Sequence, residues 1–142
     1  MSYASYKNLG QTSQEKELEE REAVPAGNKP SVSLVETIKS QEQRNELISK
    51  NQVVVIDNYT TWCGPCKLIA PDYEKLAHYF SNAPCVLAKE DAEEEIEGAP
   101  PVTGVPCFHF YIKGKYIPKL TVTGGNIKQV KENLESLFKK EG

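Results

Sequence analysis

Four consecutive β-branched residues, Val53-Val54-Val55-Ile56, constrain the fold of this chain more than any other feature. Branching at Cβ favours extended backbone, and an unbroken apolar run marks a strand buried on both faces. Such a strand needs a covering layer above and below it, which points to a layered α/β architecture. The flanking segments can supply those layers. Ser40 is placed to cap a short helical stretch, Gln41 to Lys50, with Leu47 and Ile48 facing inward. Gly64 to Phe80 has helical periodicity, with Leu68, Ile69, Tyr73, Leu76, Ala77 and Phe80 as its apolar positions. Pro71 should kink that helix, because it removes a donor and crowds the previous turn.

Further strands are expected at Val32 to Ile38, Cys85 to Ala88 and Cys107 to Ile112. Lys113-Gly114-Lys115 reads as a hairpin turn and Tyr116 to Val122 as the returning strand. Gly124-Gly125 breaks that strand. Asn126 then caps a closing amphipathic helix carrying Ile127, Val130, Leu134, Leu137 and Phe138. The order β α β α β, a short α, then β β α predicts an α/β fold, with a mixed central sheet flanked by helices on both faces. It should occupy residues 31–142.

Residues 1–30 differ in kind. Gln, Glu, Lys, Ser, Pro and Gly dominate them. Thr12 and Glu15 fit a capping box, yet Leu18 is the one large apolar residue of Ser13 to Glu22, so a helix there has almost no face to bury. The segment reads as a disordered extension with residues 25–30 as its linker, and a partner-docking arm is the competing reading. Met1 to Gly10 lacks the apolar run of a signal peptide, and no stretch reaches bilayer-spanning length. The net charge of −3 gives no nucleic-acid footprint. A reducing cytoplasm is the expected compartment, where the four cysteines, Cys63, Cys66, Cys85 and Cys107, point to catalysis or metal binding rather than to structural disulfides.

The chemistry concentrates at Trp62-Cys63-Gly64-Pro65-Cys66-Lys67, directly after the buried strand and at the opening of the second helix. Two cysteines three apart at a helix start lie within disulfide reach. The first sits where free N–H groups and the helix dipole favour a thiolate, so Cys63 is the candidate nucleophile and Cys66 the resolving thiol. Attack by Cys63 on a substrate disulfide would give a mixed disulfide, which Cys66 then resolves. A zinc half-site has the same CxxC spacing. Structural zinc usually takes a second close pair, and Cys85 and Cys107 are isolated.

Several separated positions together resemble the thioredoxin family, over roughly Val32 to Phe138. Asp57, six residues before Cys63, matches the family's buried acid that helps deprotonate the resolving thiol. Burial among Val and Ile would raise its pKa, as suits a base near neutrality. Lys89 resembles the lysine beside that acid, and Pro71 the helix-kinking proline. Val105-Pro106 resembles the dipeptide facing the redox pair, where the proline is cis, the backbone of the first residue pairs with the client, and the proline keeps metals off the thiols. Gly124 resembles the glycine that lets a partner approach, and Trp62 the ring flanking the pair. Gly64-Pro65 between the cysteines resembles the reducing branch, which lies about 90 mV, or roughly 4 kcal/mol, below the isomerase branch.

The resemblance implies a monomeric thiol-disulfide oxidoreductase that reduces client disulfides. It implies recharging by an NADPH-dependent thioredoxin reductase, and no cofactor, metal, nucleic acid or membrane is expected. A dedicated electron donor to one enzyme, and a thioredoxin-fold interaction module, are the alternatives. Three positions depart from the family. Asn58 stands where an aromatic is usual, with no evident partner. Cys107 replaces the usual Thr after the proline and should lie near Cys63 and Cys66, either as a small buried thiol or as an extra redox-active one. The acidic, Pro-rich stretch Asp91 to Gly104 leaves room for only a short helix. Cys85 reads as core, and His78 and His109 are single residues with no supporting ligands nearby.

Overall fold

The computed structural model describes residues 32–139; the extension expected at residues 1–30 lies outside them. The elements run β1 (Glu36–Ile38), α1 (Gln41–Lys50), β2 (Val53–Tyr59), α2 (Gly64–Tyr79), β3 (Cys85–Asp91), β4 (Cys107–Ile112), β5 (Lys115–Tyr116), β6 (Val122–Thr123) and α3 (Ile127–Phe138). Short 3-10 turns occupy Ala92–Glu94 and Pro118–Leu120. The sheet order is β1-β3-β2-β4-β5, with β6 also beside β4. The pairs β1–β3 and β2–β3 are parallel, and every pair involving β4 is antiparallel. The fold is the mixed α/β sheet that the order of elements predicts.

The β-branched run forms most of β2, which is hydrogen-bonded on both edges. Alternation along β2 builds two cores. Val53 and Val55 join Phe108 and Phe110 of β4 under Ile69, Tyr73, Leu76 and Ala77 of α2 and Val130 and Leu134 of α3. Val54 and Ile56 join Ile38, Ala88 and Tyr111 on the opposite face, where Leu47 and Ile48 of α1 pack. Ser40 Oγ accepts the Gln43 N–H (3.1 Å) and Asn126 Oδ1 the Gln129 N–H (3.1 Å), so both expected caps form.

Three sequence expectations need correction. Only Glu36–Ile38 of the segment 32–38 is strand. The returning strand is broken after two residues, because Pro118 has no N–H for the ladder and opens a 3-10 turn before β6 rejoins β4. Leu68 is 78% exposed. It lies on the helical row of Asp72 and Lys75, about 100° from the buried row of Ile69, Tyr73 and Leu76.

The residue of α1 that becomes fully buried is Arg44, which sequence periodicity passes over. Its guanidinium grips the buried Glu90 carboxylate in a fork, Nε–Oε1 3.0 Å and Nη2–Oε2 2.7 Å. It also donates to the carbonyls of Glu97 (2.8 Å) and Ile96 (3.2 Å). One side chain thus ties α1 to β3 and to the crossover that follows it. Arg44→Lys keeps the charge but loses the fork and the carbonyl bonds. It should lower stability by roughly 2 kcal/mol, read as a lower urea midpoint at unchanged slope.

Candidate active site

Cys63 is the N-cap residue of α2, and its Sγ accepts the Cys66 N–H at 3.0 Å. A sulfur in that place meets the unpaired amides of the first turn, the position in which a thiolate is stabilised. Cys63 and Cys66 are joined in a disulfide, with Cα atoms 5.3 Å apart. Both are buried in this oxidised state, while Gly64 and Pro65 between them are exposed. Pro65 lies in the first turn, where a missing N–H leaves no acceptor short. The helix runs without a break past Pro71.

Asp57 stands on the α2 face of β2, the face toward which the buried side of α2, including Cys66, is turned. It is 5% exposed, and its Oδ1 has no hydrogen-bond partner. Burial pushes its carboxyl from 3.8 up to about 7, with Lys89 pulling in the other direction. Lys89 is the in-register neighbour of Asp57 on β3, and its Nζ lies 5.8 Å from the Tyr59 ring centroid. The site therefore holds an acid that can carry or release a proton near neutral pH.

The Val105-Pro106 bond is cis. The Gly124 N–H donates to the Pro106 carbonyl at 2.7 Å, with Gly124 at φ +96°, a conformation that L side chains avoid. Trp62 is 67% exposed, and its Nε1 donates to Glu93 Oε2 at 2.7 Å. Trp62, the residue that precedes Cys63, and Val105 line one cavity. The expected site residues fall into an acid–lysine pair, a helix-capping cysteine pair, a cavity lined by both Trp62 and Val105, and the hydrogen-bonded Pro106 and Gly124.

A polar layer on the opposite face was not foreseen. Asn58 Nδ2 donates to the Cys107 carbonyl (2.9 Å) and lies 3.1 Å from His109 Nδ1. Nδ1 is then the acceptor, which leaves the ring proton on Nε2, 3.6 Å from Cys107 Sγ. Burial holds the His109 imidazole below its usual range and pushes the Cys107 thiol up. Cys107 follows Pro106 in sequence, yet it pairs with Asn58 and shares its face of the sheet, the one turned away from α2. Alternation alone puts residues 107 and 109 together on β4; the β2–β4 register that adds Asn58 is not written in local sequence. Cys85 packs against the α2-side core, and burial pushes its thiol up to about 11. Among the described residues, no three His, Cys, Asp or Glu converge in a way that could hold a metal. No helix among them is long and apolar enough to cross a membrane.

Comparison with known proteins matches residues 34–139 to the thioredoxin family. Thioredoxin-2 of Saccharomyces cerevisiae is 35% identical over 104 residues, covering 72% of this chain and 98% of the yeast protein. Thioredoxin 1 of Plasmodium falciparum is 30% identical over 102 residues, covering 72% and 96%. The crystal structure of thioredoxin from Trypanosoma brucei brucei superposes with a TM-score of 0.67 at 29% identity, over 79% of this chain and 98% of that one.

Proposed function

The chain belongs to the thioredoxin family and is a thiol-disulfide oxidoreductase that reduces protein disulfides, and from that premise we propose which of its residues carry each step. In the reduced protein the Cys63 thiolate attacks one sulfur of a client disulfide. The client S–S bond breaks, its other sulfur leaves and takes up a proton, and a Cys63–client disulfide forms. Asp57 accepts the proton of the Cys66 thiol. Cys66 then attacks Cys63 Sγ, the mixed disulfide breaks, and the second client sulfur leaves as a thiol. The client has gained two electrons and two protons, and the protein is left with the Cys63–Cys66 disulfide present in the structure.

Lys89 modulates the charge on Asp57. Trp62, Gly64 and Pro65 form the surface against which the client rests, Val105 offers it backbone, Gly124 lets it approach closely, and Pro106 shields the thiols from metals. A flavoprotein reductase using NADPH returns the electrons, and the protein works as a cytoplasmic monomer. The observation that carries this reading is the buried Asp57 carboxyl, unpartnered at Oδ1, on the sheet face under the helix that bears both cysteines.

Cys66→Ser in the full chain tests it by trapping. With the resolving thiol removed, mixed disulfides with many clients should accumulate on Cys63 and release on adding dithiothreitol. One trapped client would favour the dedicated-donor alternative. The Cys63–Cys66 couple should have a potential of about −270 mV, and a value near −180 mV would move the direction of electron flow toward isomerisation.

A further inference from the structure

The β3–β4 crossover passes over the C-terminal end of β2 on the face away from α2, and residues 95–106 contain neither helix nor strand. Gly98, Pro100, Pro101 and Gly104 keep that stretch irregular. A loop covers a sheet less closely than a helix, and a cavity of about 460 Å³ remains beneath it, within the usual size of small-ligand pockets. Asn58, Thr60 and Glu90 lie along its sheet side, Glu95 comes from the crossover, and Trp62 and Val105 flank it. Trp62 precedes Cys63 and Val105 precedes Pro106, so the cavity opens beside the redox pair.

Its chemistry favours a cation. Thr60 lines the cavity at 5% exposure, and its Oγ1 is itself buried with no hydrogen-bond partner in the protein. Asp91, Glu93, Glu94, Glu95 and Glu97 crowd the start of the crossover. Arg44 and Lys39, two basic side chains that meet this region, are committed: Arg44 to Glu90 and two carbonyls, and Lys39 to Glu94 at 3.7 Å. Glu93 also holds the Trp62 indole, which offers a π-face to a cation.

We propose that this cavity is a specificity pocket that takes a Lys or Arg side chain flanking the client's reactive cysteine. The assignment rests on the reductase reading above. A basic side chain would set its stem along Trp62 and Val105, draw the unpartnered Thr60 hydroxyl round to meet it and lie in the field of Glu95.

Stopped-flow reduction of three disulfide peptides by the reduced full chain tests this. The peptides differ only in carrying Lys, Gln or Glu on both sides of the cysteine. The Lys peptide should react about tenfold faster than the Gln peptide, the effect of one well-placed charge pair, and the Glu peptide should be slowest. Glu95→Gln and Thr60→Val should each reduce the Lys preference at least about threefold without slowing the Gln peptide, with native circular dichroism. Glu135→Gln, on the exposed side of α3 across the sheet, removes the same net charge and should leave the preference intact. Equal rates for all three peptides overturn the pocket alone. So does a preference that Glu135→Gln weakens as much as Glu95→Gln, since that is long-range steering. Failure to reduce any of the three overturns the reductase reading and the pocket with it.

Discussion

Cys63→Ser should leave no measurable reduction of a client disulfide, a loss of at least roughly a thousandfold. A serine hydroxyl at the same helix cap is not ionised near neutral pH, so the favourable amides of the first turn have no anion to stabilise. Cys66 cannot substitute, because it lies one turn inside α2 on the helix's core-facing side, not at the helix cap that stabilises a thiolate. Cys66→Ser should differ in kind: the first bond exchange proceeds and the reaction stops at the mixed disulfide. Single-turnover mixing with a disulfide client, quenched with acid and resolved by mass, separates the two cases. Full activity in Cys63→Ser would remove the nucleophile assignment.

Asp57→Asn should change rate and stability in opposite directions. As the base for Cys66, Asp57 makes resolution speed up as pH rises through about 7 and level off above it. The variant should lose that inflection and resolve about a hundredfold more slowly. For stability, the carboxyl is at 3.8 when unfolded and about 7 in the folded, oxidised protein. The folded state therefore holds the proton more tightly. Its advantage is fully present below about pH 4 and disappears as pH climbs through about 7. A gap of that size corresponds to roughly 4 kcal/mol. Urea midpoints of the oxidised wild type should fall between pH 4 and pH 8, while those of Asp57→Asn stay nearly flat and end higher. A wild-type midpoint that does not fall across this window would contradict the raised carboxyl.

The parts of this molecule legible in its sequence are those that local physics specifies. β2 follows from side-chain branching, α1 and α3 from their caps, and the cysteine pair from its spacing at a helix start. Leu68 was misplaced because a hydrophobic residue at the edge of a helical stripe gives no sign of which side it takes. Arg44 was missed because burial of a guanidinium depends on a carboxylate 46 positions away. The partner of Asn58 was invisible for the same reason: His109 meets it only through the β2–β4 register. The break at Pro118 was the one miss that local rules contained, since a proline inside an expected paired strand argues against that strand.

Asp57 and Asn58 are consecutive residues of one rigid, central strand, and they look into different halves of the molecule. One belongs to the half that governs protons and electrons, the other to the half whose outer wall is the irregular crossover. The sheet between them acts as an insulating partition. Residues 95–104 of the crossover can be lengthened, recharged or exchanged with little effect on the midpoint of the dithiol couple, because they lie on the Asn58 side of the sheet, away from Asp57 and α2. For a designer, and for natural drift, the list of recognised proteins and the voltage at which they are served become two separately adjustable properties.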